Sequence, residues 1–284
     1  MKILRAEYLG MCFGVRDAIS LALDEARQRP VTVLGDLVHN EAVLAGLRAR
    51  GVRFTRDAAD AATGRLMVTA HGASQRAMNH ARALGHDVIE ATCPLVHHAH
   101  RAVGRLVCEG FHPVIIGLRN HVEVRGVTED LAECDVVLSA EDVAALRERA
   151  KFGVVAQTTQ PIERVRQLVA MIRARFPNSE VRFIDTVCQP TKQRQSAAVA
   201  LAQQCDAVVV IGGANSNNTR ELVETCRGHC AQVFHVQNAG DLREEWFAAA
   251  QTVGVTAGTS TPDSIIHEVE MRLTRMGERE CVAA

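Results

Sequence analysis

The sequence has little of several things, and each shortage excludes a class of function. Apolar runs such as Ala207 to Ile211 fall far short of the ~20 residues that a membrane span needs. The first residues, Met1 to Glu7, include no apolar core of a secretory leader, so a soluble, cytoplasmic protein without a membrane partner is expected. Charge of one sign is not in excess: 32 basic and 33 acidic side chains are interspersed and give a net charge of −1, so no footprint for nucleic acid is visible. Lysine is scarce, with Lys2, Lys151 and Lys192 the only three, which reflects codon usage more than chemistry. No GxGxxG follows a strand and no GxxxxGK[ST] occurs, which leaves dinucleotide and P-loop readings without support. A disulfide scaffold is also excluded, because nine cysteines is an odd number and the chain is too long to need one.

What is present is ordinary globular composition, 47% hydrophobic and 23% charged, in a length that suggests two domains. Short β-branched runs at Val31–Leu34, Leu66–Thr69, Val114–Ile116, Val136–Leu138, Gly153–Ala156, Val181–Ile184, Val208–Ile211 and Val253–Thr256 read as buried strands. Amphipathic stretches such as Val15–Arg27, Glu41–Arg50, Ile162–Phe176 and Asp263–Met276 lie between them. The alternation predicts α/β architecture with mainly parallel sheets.

An internal repeat sharpens this. Ile89-Glu90-Ala91-Thr92-Cys93-Pro94 and Ile184-Asp185-Thr186-Val187-Cys188-Gln189 each read as a strand, an acid, a short turn and a cysteine opening a helix. Cys12 stands likewise before a helix. The next strand to end in glycine follows each cysteine after 23 or 24 residues, at Gly35, Gly117 and Gly212, and four residues later come His39, His121 and Ser216. A further strand with a polar end closes each copy, at His71, Thr158 and Ser260. The register predicts three αβα units, 1–93, 94–188 and 189–284, related by a pseudo-threefold axis and facing one central cavity.

Three converging thiolates would hold a 4Fe-4S cluster at three irons and leave the fourth open for substrate. Cys108, Cys134, Cys205 and Cys281 are expected to be small buried hydrophobes, and so, on balance, are Cys226 and Cys230, although their spacing would also seed a metal site. His97, His98 and His100 point to different faces of one helix and are expected to be solvated or supporting. His39, His71, His121, Thr158, Ser216, Asn218 and Ser260 make an anion-binding set, suited to a diphosphate if the histidines are protonated. Glu123, two residues from His121, would carry a proton at neutral pH if buried. A three-cysteine redox sensor and a zinc hydrolase built on His39, His71 and His121 stand as alternatives.

The ordered motifs GMCFGVRDAI, LVHNE, AHGAS, EATCPLV, NHVEV, VAQTTQ, CQPTKQRQ, GGANSNNTREL and VTAGTSTPD resemble the LytB/IspH family of 4-hydroxy-3-methylbut-2-enyl diphosphate reductases over essentially the whole chain. The resemblance implies a trefoil of three αβα units around an oxygen-sensitive 4Fe-4S cluster on Cys12, Cys93 and Cys188. It implies a diphosphate held by His39, His71, His121, Ser216, Asn217, Asn218 and Ser260, a proton relay through Glu123, and an orienting role for Thr158. A ferredoxin or flavodoxin would supply the electrons. The family's HPEV is His121-Val122-Glu123-Val124 here, its Asp before Ala-Thr-Cys-Pro is Glu90, and its basic residue after Cys-Pro is His98. The missing proline is expected to loosen the backbone around Glu123, and a relative with a different allylic substrate is the variant reading.

Overall fold

Strands that are apolar on both faces pair in parallel and must be covered by helices on each side, and the structure follows that rule three times. It is a computed structural model that describes the backbone of residues 1–283 and the side chains of residues 1–278. The strands are β1 (Lys2–Arg5), β2 (Thr32–Leu34), β3 (Arg53–Thr55), β4 (Arg65–Val68), β5 (Asp87–Glu90), β6 (His112–Ile116), β7 (Asp135–Val137), β8 (Lys151–Ala156), β9 (Glu180–Phe183), β10 (Ala207–Ile211), β11 (Gln232–Val236) and β12 (Thr252–Ala257). The helices are α1 (Phe13–Gln28), α2 (Glu41–Arg48), α3 (Gln75–Ala83), α4 (Pro94–Cys108), α5 (Val122–Thr128), α6 (Ala140–Ala145), α7 (Ile162–Arg175), α8 (Gln189–Ala202), α9 (Asn217–Arg227) and α10 (Asp263–Ala283).

Three four-stranded parallel sheets result, with orders β3-β2-β4-β5, β7-β6-β8-β9 and β11-β10-β12-β1. The same order recurs each time, and the chain's first strand completes the sheet of its last three. Two compact units divide the chain: residues 16–38 with 44–188 carry the first two sheets, and residues 1–15, 39–43 and 189 onward carry the third.

Each sheet is sandwiched by the two-residue alternation of strand side chains. In β10, Val209 and Ile211 pack with Ile266, Val269 and Leu273 of α10, while Val208 and Val210 pack with Ala198 and Leu201 of α8 and Leu222 of α9. In β6, Val114 and Ile116 join Val165 and Ile172 of α7, and Ile115 faces Val103 and Leu106 of α4. Every one of the eight strands expected from the sequence is present. No described helix is long and apolar enough to cross a membrane.

In each sheet the strand order reverses between the two inner strands (β2/β4, β6/β8, β10/β12), and loops leaving their carboxyl ends diverge there, which is where open α/β sheets place ligands. The residues expected to bind the anion, and Glu123, lie on these loops or on the helix starts that follow them, whereas His97, His98 and His100 lie on α4 after the outer strand β5.

Candidate active site

The repeat is written into the backbone hydrogen bonds. The glycine that ends each first inner strand donates its N–H to the end of the neighbouring outer strand: Gly35 to Thr55 O (2.6 Å), Gly117 to Val137 O (3.0 Å) and Gly212 to Val236 O (2.9 Å). Each candidate ligand cysteine donates its N–H to the carbonyl two residues beyond the second inner strand: Cys12 to Thr259 (3.0 Å), Cys93 to Ala70 (3.1 Å) and Cys188 to Thr158 (3.0 Å). The three thiols, all half-buried, therefore hang from the same point of three like sheets.

Four of the expected residues meet in the unit that carries the first two sheets. His121 caps α5, its Nδ1 accepting the Glu123 N–H at 3.2 Å. With Nδ1 accepting, the ring nitrogen left to donate is Nε2. The His71 and His121 rings meet edge to face with centroids 5.6 Å apart. Glu123 is 2% exposed, and its two carboxylate oxygens accept from Thr158, Oε1 from the backbone N–H at 2.6 Å and Oε2 from the hydroxyl at 2.9 Å. Burial raises the Glu123 carboxyl to about 7, against the downward pull of both Thr158 hydrogen bonds. The result is a buried group that exchanges its proton at neutral pH. Thr158→Val removes one bond to the ionised form and is expected to raise the carboxyl further, which a pH titration of the Glu123 side-chain carbon by NMR would read.

The loop that bears His71 is held from α5 as well. Ser74 donates to Glu129 Oε2 (2.9 Å), and Asp130 accepts the first free N–H groups of α3, from Gln75 (2.6 Å) and Arg76 (3.0 Å). Gly126 lets α5 approach the backbone of Ala73, where a Cβ would stand 3.5 Å away. Val122 occupies the first helical position of α5, a place that suits proline, and the turn before it is closed by His121 N–H to Leu118 O at 2.9 Å.

In the other unit, Ser216 caps α9 through its hydroxyl and Ser260 donates to His39 O at 3.3 Å. Asn218 Oδ1 accepts from Thr259 N–H at 2.9 Å, and its buried Nδ2 meets no acceptor among the described residues. Asn217 is buried beside it on the first turn of α9. At the start of α2 the residue after His39, Asn40, accepts from Val43 N–H at 3.3 Å.

The other candidates separate by burial. Cys226 and Cys230 lie in the core of the third sheet, and burial pushes the thiol of Cys226 up to about 12 and that of the half-buried Cys205 to about 11. Burial also raises Cys134; Cys108, expected to be a buried hydrophobe, is instead exposed at the end of α4, and the Cys281 side chain lies outside the described residues. His97 pairs with Glu90 at 3.2 Å, His98 is exposed, and burial holds His100 below its ordinary value. Among the described residues, no three His, Cys, Asp or Glu side chains form a set that could hold a metal ion.

Sequence reasoning missed Thr186, whose hydroxyl bridges the Ala156 N–H and C=O at the end of β8 and so steadies the strand end that leads to Thr158. Its place in the Asp-Thr-Val-Cys turn was the available signal. It also missed Arg194, a buried arginine on α8 that donates to Gly10 O.

Residues 3–274 match the family model described as LytB protein. A 4-hydroxy-3-methylbut-2-enyl diphosphate reductase of Trichlorobacter lovleyi is 37% identical over 278 residues, covering 97% of this chain and 99% of its own. One from Geobacter sulfurreducens is 36% identical over 283 residues, 99% of each chain. Among solved structures, the E-1-hydroxy-2-methyl-but-2-enyl-4-diphosphate reductase of Plasmodium falciparum superposes with a TM-score of 0.91 at 28% identity, over 96% of this chain and 88% of that one. A second structure, of (E)-4-hydroxy-3-methyl-but-2-enyl diphosphate reductase, described as the terminal enzyme of the non-mevalonate pathway, gives 0.68 at 35% identity over 97% and 100%.

Proposed function

The chain belongs to the LytB family, and we infer that it is the reductase its relatives are named for. It removes the hydroxyl of 4-hydroxy-3-methylbut-2-enyl diphosphate as water, with two electrons and two protons, and forms isopentenyl and dimethylallyl diphosphate at the end of the non-mevalonate pathway. The observation that carries the chemistry is Glu123, a fully enclosed carboxyl that titrates near 7 and is gripped twice by Thr158.

The cofactor implied is a 4Fe-4S cluster on Cys12, Cys93 and Cys188 with one iron lacking a protein ligand. Its support is the donor chemistry of three half-buried thiols and the equivalent backbone bond that anchors each. When bound, such a cluster supplies the electrons and a Lewis-acidic iron, which side chains alone do not provide.

The protein's own groups hold the diphosphate and move the proton. His39, His71, His121, Ser216, Asn217, Asn218 and Ser260 bind the anion, with Asn218 Nδ2 and His121 Nε2 as oriented donors. Fixing the diphosphate fixes the alcohol at the other end of a short substrate. Once Glu123 carries its proton, its O–H can donate to Thr158 Oγ, which turns the Thr158 hydroxyl hydrogen toward the alcohol oxygen; the proton then passes along that pair as water leaves.

A ferredoxin or flavodoxin delivers the electrons, and the protein works in the cytoplasm. The division into 1–93, 94–188 and 189–284 is supported by sheets contained in residues 32–90 and 112–183, with β1 the one strand that crosses it. Anaerobic reconstitution with iron and sulfide, then an assay with the allylic diphosphate, dithionite and a viologen mediator, is expected to show mediator oxidation in step with substrate loss. A coloured protein that binds the diphosphate without turnover would overturn the reductase reading; a colourless one would overturn the cluster.

A further inference from the structure

Arg194 is a buried guanidinium, 7% exposed, that the chemistry above does not use. Its Nε and Nη2 donate to Gly10 O at 3.0 and 2.7 Å, and its Nη1 donates to Pro190 O at 2.9 Å, within its own helix. Gly10 lies two residues before Cys12, and Arg194 lies on α8, whose first residue follows Cys188 in the chain.

The repeat shows why such a bond is needed in one place only. Cys93 comes three residues after the end of β5 and Cys188 five after the end of β9, but Cys12 comes seven after the end of β1. The longer lead is the looser one, since every added residue adds conformations. Counting six residues on from each cysteine gives Ala18, Ala99 and Arg194, so two copies bury a small alanine where the third buries a charged fork. The Cys12 lead is thereby fixed at three points: Gly10 N–H to Ala257 O (3.0 Å), Gly10 O to Arg194, and Cys12 N–H to Thr259 O (3.0 Å). Gly10 is itself required, with φ +74 and Ile266 Cδ1 2.7 Å from where a Cβ would stand.

We propose that Arg194 is a positioning residue that fixes the lead bearing Cys12 against α8 and so sets where the Cys12 thiol stands. The proposal rests on the reading of Cys12 as a ligand. Removing the fork leaves the Gly10 carbonyl without its two donors and frees the lead to open locally. Lysine restores one donor and the charge without the bidentate geometry, so it rescues in part.

The test uses the full chain as wild type, Arg194→Lys, Arg194→Met and, as a control for general destabilisation on the same helix, Leu201→Ala. Mass spectrometry follows iodoacetamide alkylation of Cys12, Cys93 and Cys188 in the metal-free protein. Visible absorbance follows loss of the reconstituted cluster to an iron chelator. Arg194→Met is expected to speed Cys12 alkylation about tenfold with Cys93 and Cys188 within about twofold, and to speed cluster loss about tenfold, with Arg194→Lys between. If Arg194→Met does not fold, the same Cys12-selective change in Arg194→Lys supports the proposal. Equal acceleration at all three cysteines, matching Leu201→Ala, or no change, would overturn it. A wild type that takes up no cluster would instead defeat the ligand reading, while the alkylation ratio still reports the tether.

Discussion

Glu123→Gln is expected to abolish turnover and, at the same time, to make the protein more stable above neutral pH. Glutamine keeps the shape: its Oε1 still accepts the Thr158 N–H, and its amide can donate to the Thr158 hydroxyl, which reverses its role. What it cannot do is give up a proton, and losing a general acid of this kind costs about 10²–10⁴ in rate. Stability moves the other way. The folded state holds the Glu123 proton more tightly than the unfolded chain does, so the unfolded state is favoured wherever the carboxyl must ionise. Below the ordinary value of 4.5 the group is neutral in both states and costs nothing. The cost grows as pH rises from there and is complete once pH passes about 7, where it reaches about 3 kcal/mol. Glutamine never incurs it. Thermal unfolding of the metal-free proteins should therefore coincide near pH 4.5 and separate by roughly 5 °C or more at pH 8 to 9. In the wild type, turnover that needs the protonated form falls as pH rises through about 7. A redox sensor on the same three cysteines would show the stability change with no functional loss. Equal melting temperatures at pH 5 and pH 9 would show that Glu123 is not the enclosed acid described.

The physical reasons for success and failure in reading the sequence are separable. Inner strands such as β10, apolar on both faces, announce themselves as unbroken β-branched runs. The strands that went unread, β1 (KILR), β3 (RFT) and β11 (QVFHV), are all edge strands with exposed or half-exposed positions, so polar residues break the pattern. That β1 pairs with β12 is a pairing across the length of the chain, which no local periodicity encodes. The three-fold register is what singles out Cys12, Cys93 and Cys188 as candidates, and the backbone bonds of the three residues repeat that register. Asn40 takes in the first copy the capping place that His121 and Ser216 take in the others, and symmetry gave no hint of Arg194, which stands where the copies differ.

The cysteines supply the second large effect, a double dissociation. Cys12→Ser, Cys93→Ser and Cys188→Ser should each cost nearly all retained iron and turnover, with little change in the melting temperature of the metal-free protein. Each of these side chains is half-buried, and each residue's structural bond is made by its backbone N–H, which serine keeps. The hydroxyl, unlike the thiol, stays protonated near neutral pH and is a poor ligand for iron-sulfur clusters. Cys226→Ser should do the reverse. Cys226 is fully buried among Ala198, Leu201, Leu222 and Val210, and a hydroxyl placed there costs about 1–3 kcal/mol while iron content and activity of the folded fraction hold. Iron analysis and thermal unfolding on the same four preparations settle the assignment. Iron lost in Cys226→Ser at unchanged stability would move the cluster to the third sheet's core, and stoichiometric zinc surviving all three ligand substitutions would favour a hydrolytic histidine site. The asymmetry between the two groups of thiols follows from burial alone: a ligand must reach a partner outside the core, and Cys226, with its proton held up to about 12, is built to keep it.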